Sequence, residues 1–61
     1  MYSIQFCWEN ASKVVAVFED KMLAIEYAIF KKRTVKETIC IKRPIAIEVL
    51  NGDKQILRLL V

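Results

Sequence analysis

Apolar and polar residues alternate from the start of the chain, with Tyr2, Ile4, Phe6 and Trp8 on one side and Ser3, Gln5, Cys7 and Glu9 on the other. A period of two is that of a half-buried β-strand. Glu9-Asn10-Ala11-Ser12 supplies turn-favouring residues, and Lys13-Val14-Val15-Ala16-Val17-Phe18 resumes as a β-branched run, so an antiparallel hairpin is predicted. Asp20 suits a helix N-cap, because its carboxylate can accept from first-turn amides and complements the dipole there. Lys31, Lys32 and Arg33 suit the opposite end, which predicts a helix over residues 21–33. Beyond it, Ile39, Ile41, Ile45, Ile47 and Val49 are all odd-numbered and share one face of an extended segment. Residues 36–50 are therefore read as a long third strand, bent near Pro44, where a proline interrupts the ladder. Asn51-Gly52 is a strong hairpin signal, and residues 54–61 form the last strand. A two-residue loop would pair Ile47 with Ile56 but set Val49 against Lys54. A three-residue loop places Leu57, Leu59 and Val61 on the Ile45/Ile47/Val49 face, and hydrophobic matching favours it. The expected fold is α+β in the order β-β-α-β-β: a mostly antiparallel four-stranded sheet with one helix packed on one face, in a single domain spanning residues 1–61.

The helix is more apolar than one buried face requires. From Met22 to Phe30 its only charged residue is Glu26. Met22, Ile25 and Ile29 form one stripe and Leu23, Tyr27 and Phe30 a second. Two arrangements are open. In one, both stripes straddle the sheet-facing direction, and Ala24 and Ala28 are small surface residues at the back. In the other, Leu23, Tyr27 and Phe30 form an exposed patch for a protein partner or for a second copy of the chain.

Composition narrows the chemistry. A chain of 61 residues supports one small core with little surplus stability. It has no histidine, and Cys7 and Cys40 are its only cysteines, 33 positions apart, so no zinc-ligand spacing can be written. The histidine that usually activates a Ser or Cys nucleophile is missing, and the carboxylates are scattered. Gly52 is the only glycine, which excludes a glycine-rich phosphate loop. Non-enzymatic action with no cofactor and no metal is expected. No run is long enough for a membrane span and no signal-peptide pattern opens the chain, so a complete small frame acting in the cytoplasm, with reduced thiols, is expected.

Charge is uneven: residues 1–30 carry two cations and four anions, whereas 31–61 carry eight cations and three anions. Lys31, Lys32, Arg33 and Lys36 form a basic cluster at the helix exit, with Lys42 and Arg43 as further candidates. It is either a phosphate-binding patch or a solvated helix end whose cations complement the dipole. Tyr2, Phe6 and Trp8 are likewise either core or a base-stacking platform, and core is the simpler use of alternating aromatics.

The Trp8 and Asn10 turn, the second strand, a helix containing Tyr27-Ala28, and a hairpin written Ala46-Ile47-Glu48-Val49-Leu50 and Asp53-Lys54-Gln55-Ile56 resemble the small Dmd-type antitoxins of T4-like bacteriophages. The resemblance lies in spacing and residue class over most of the chain. It implies a phage-encoded antitoxin or anti-defence protein that binds a bacterial toxin endoribonuclease in the host cytoplasm and blocks it by occupying its surface. The uninterrupted apolar helix departs from the family pattern, so no contact residues are carried over. A protein-binding inhibitor is the first expectation, a small basic nucleic-acid-binding regulator the second, and a homodimeric structural protein the third.

Overall fold

The computed structural model describes residues 1–37 and 43–61. Strands β1 (Tyr2–Cys7) and β2 (Ser12–Phe18), helix α1 (Lys21–Glu37), and strands β3 (Ala46–Asn51) and β4 (Lys54–Leu60) follow in that order. The four strands make one antiparallel sheet in the order β2-β1-β3-β4, so the two hairpins join through β1 and β3 at its centre. This is the expected α+β arrangement.

The first hairpin turns at Glu9-Asn10, and the Trp8 amide donates to the Ala11 carbonyl at 2.7 Å. The second turns at Gly52-Asp53, between the paired Asn51 and Lys54. Gly52 has φ 63°, and no non-glycine residue has positive φ among those described. Glycine at the first central position of a two-residue loop fits a type II′ turn. The register combines features of both expectations. The loop has two residues, but the partner of Val49 is Leu57 and that of Leu50 is Gln55, leaving Ile56 as an extra residue in β4. This bulge puts Leu57 and Leu59 opposite Val49 and Ile47, so the anticipated apolar face forms by a different route. A corresponding irregularity in β2 leaves Val15 between the partners of Ile4 and Gln5.

The third strand is shorter than expected. Lys36 belongs to α1, which runs to Glu37, and β3 starts only at Ala46, just after the buried Pro44. Ile39, Cys40, Ile41 and Lys42 lie outside the described residues. The extra helical turn has a packing reason. Val35 falls on the same stripe as Ala24 and Ala28 and is half-buried, while the Thr34 hydroxyl donates to the Phe30 carbonyl at 3.2 Å.

Helix α1 lies on one face of the sheet. Ile4, Ala24, Ala28, Ile47 and Val49 are fully buried together, with Tyr2, Phe6 and Phe18 partly buried against them. Tyr2 and Phe6 therefore serve as core. Ile4, Ile47 and Val49 are the largest fully buried side chains, which makes the core thin. On the opposite sheet face a polar row crosses three strands: Gln5 donates to Glu48 at 3.3 Å, and Arg58 forms an ion pair with the same carboxylate. Glu48 is buried, so these two partners offset its desolvation.

Candidate functional site: the outer face of the helix

The orientation of α1 follows from two alanines. Ala24 and Ala28, one turn apart, are both fully buried against the sheet. The small side chains let the helix backbone approach the sheet closely, because interaxial distance follows the size of the contact residues. This overturns the arrangement in which the alanines sit at the back and the large residues straddle the sheet.

The large side chains consequently turn outward. Met22, Leu23, Ile29 and Phe30 are 60%, 52%, 46% and 54% exposed. By helical geometry Met22 and Ile29 flank one side of the outermost stripe, and Leu23 and Phe30 the other. Glu26 and Arg33, seven positions apart and both exposed, lie along the middle. The outer face is thus an apolar surface about two turns long with one acidic and one basic residue on its midline. Its anchoring is local: Asp20 caps the first turn by accepting from the Met22 amide at 3.0 Å, the arrangement expected for its position.

Of the anticipated partner-binding trio, Leu23 and Phe30 are on this face. Tyr27 is not an exposed anchor. It is half-buried at the helix flank, its ring 5.2 Å from that of Phe18 and packed against the core. Met22 and Ile29 complete the patch in its place. Sequence reading separated Met22 and Ile29 from Leu23 and Phe30 into two stripes. The signal that unites them is the Ala24/Ala28 pair, which marks the side of closest approach.

The basic cluster is divided. The Lys31 amine sits 5.4 Å from the centre of the Tyr27 ring, a cation–π contact, and Lys32 is half-buried. Arg33 points outward on the apolar face, and Arg43 is exposed. The side chain of Lys36 and the whole of Lys42 lie outside the described residues. The described cations therefore do not present one continuous surface.

At the end of the sheet near the first turn, an open concavity of about 590 Å³ is lined by Trp8, Glu9, Asn10, Ala11, Arg43 and Ile45. Trp8 meets Phe6 edge to face at 6.2 Å, which ties this rim to the core. Cys7 is buried on the polar side of the sheet, and burial, followed by the neighbouring Glu48 carboxylate, pushes its thiol above the ordinary value. Cys7 is a free thiol, and Cys40 lies outside the described residues. No group of three or more potential metal ligands occurs among the described residues, and no helix there is long and apolar enough to cross a membrane. No family model, curated protein or solved structure matches the chain.

Proposed function

We propose that this chain is a non-enzymatic protein-binding inhibitor that uses the outer face of α1 to cover part of its target. The observation that carries the reading is the outward placement of Met22, Leu23, Ile29 and Phe30 on a helix whose alanines face the core. Burying four such side chains against solvent instead of the sheet leaves favourable hydrophobic free energy unrealised, and a partner surface recovers it. Met and Phe are enriched at the centres of interfaces, and aromatic anchors there contribute about 2 kcal/mol or more when truncated. The lack of histidine fits action by contact rather than turnover. The resemblance to Dmd-type antitoxins makes a bacterial toxin or defence nuclease the first target class to test, with the chain acting as a phage antitoxin or anti-defence protein.

The test is capture from nuclease-treated bacterial lysate on immobilised chain. The wild type should retain a protein that a Leu23→Glu/Phe30→Glu variant does not. Recovery of nucleic acid alone, lost on nuclease treatment, would overturn the reading in favour of a basic nucleic-acid regulator.

A further inference from the structure

We propose that, until a target displaces it, a second copy of the chain covers this face, with the two α1 helices packed antiparallel about a two-fold axis near Ile29 and Phe30. The inference rests on the outer face being a binding surface and adds a partner and a means of regulation.

Charge selects the partner and its direction. Glu26 and Arg33 are exposed on the same stripe, one toward each end of the apolar patch. Antiparallel pairing centred between them sets Glu26 of each copy against Arg33 of the other, so both charges are matched twice by one symmetry operation. Parallel pairing sets Glu26 against Glu26 and Arg33 against Arg33. The helix dipoles favour the same antiparallel choice. A self-complementary surface of this kind is what an isologous dimer requires.

Area agrees. Four large side chains, each about half exposed, offer on the order of 400 Å² of apolar surface per copy, enough for the apolar centre of an interface of about 800 Å² per partner. With only Ile4, Ile47 and Val49 as large, fully buried side chains, the single chain also gains from a second subunit, one of the usual supports of small scaffolds. Target binding then competes with self-association, and dilution frees the face.

The test is sedimentation equilibrium of the full chain from low micromolar to near-millimolar concentration. The wild type should show a reversible monomer–dimer equilibrium. Glu26→Arg and Arg33→Glu should each weaken it by about tenfold or more, because each reversal creates two like-charge contacts per dimer. An equimolar mixture of the two variants should associate again, since one then carries two cations and the other two anions on the midline. The double reversal within one chain should also restore the dimer. Both positions are exposed, and far-UV circular dichroism verifies that the variants are folded. A wild type that stays monomeric throughout, or a dimer indifferent to the single reversals, would overturn the proposal. A monomer that still retains a lysate protein through Leu23 and Phe30 removes the dimer and leaves the inhibitor reading intact. A charge-sensitive dimer that retains nothing does the opposite.

Discussion

Enlarging Ala28 to leucine should destabilise this protein more than shrinking Phe30 to alanine, although the second change removes far more hydrocarbon. Ala28 is fully buried, packed with Ile4, Ile47 and Val49 where the helix meets the sheet. Leucine adds three carbons at that contact, and the helix must lift or the sheet side chains must leave their rotamers. Overpacking of this kind costs about 1–3 kcal/mol. Alanine and leucine have similar helix propensities, so the loss reports on packing. Phe30 is 54% exposed, so Phe30→Ala should change stability by no more than about 0.5 kcal/mol. For a domain of this size about 1 kcal/mol corresponds to roughly 4–8 °C in Tm, and Ala28→Leu should lower the midpoint by on the order of 10 °C. Urea and thermal unfolding followed by circular dichroism, at concentrations below self-association, measure both. The reasoning is refuted if Ala28→Leu is neutral or stabilising while Phe30→Ala costs about 3 kcal/mol or more, the value of a core phenylalanine.

Three smaller effects follow from local geometry. Asp20→Ala removes the acceptor of the Met22 amide and should cost about 1 kcal/mol in urea unfolding, whereas Asp20→Asn should cost much less. Gly52→Ala should cost about 1 kcal/mol even though nothing lies within 4 Å of an added Cβ, because the penalty comes from the φ of +63°. The Cys7 thiol is raised by burial and by Glu48, so its folded pKa exceeds the unfolded one. Its contribution to stability is complete below the unfolded value of about 8.5 and is lost as pH rises through the folded value. In a Cys40→Ser background, the pH dependence of thiol alkylation should show a midpoint above about 8.5, and unfolding free energy should fall across the same alkaline range.

The order of elements was legible because each carries its own local signal: the period of two from Tyr2 to Trp8, the Asp20 cap, and the Gly52 turn. Less legible was anything set by contact between elements. Ile56 reads as an ordinary strand residue, and only the match of Leu57 and Leu59 to the core face makes it a bulge. The parity of Ile39, Ile41 and Ile45 suggested one extended strand, but inward packing of Val35 carries the helix on to Glu37. The helix face was ambiguous for a related reason. Hydrophobicity alone ranks Leu23 and Phe30 above Ala24 and Ala28 as core residues. Close approach of the helix to the sheet inverts that order, because the position of closest contact admits only a small side chain. The exposed patch was half visible in sequence, through Leu23 and Phe30. Tyr27 was assigned to it because its ring shares their stripe, and contact with Phe18 draws it toward the core.

The most direct test of the central claim, that the outer face of α1 is the binding surface, is the affinity of the protein recovered from lysate for the wild type and for Phe30→Ala. Titration should show a loss of about thirtyfold, corresponding to about 2 kcal/mol, with Lys32→Ala close to wild type. Equal affinities for wild type and Phe30→Ala, with Lys32→Ala the weakened variant, would contradict the account.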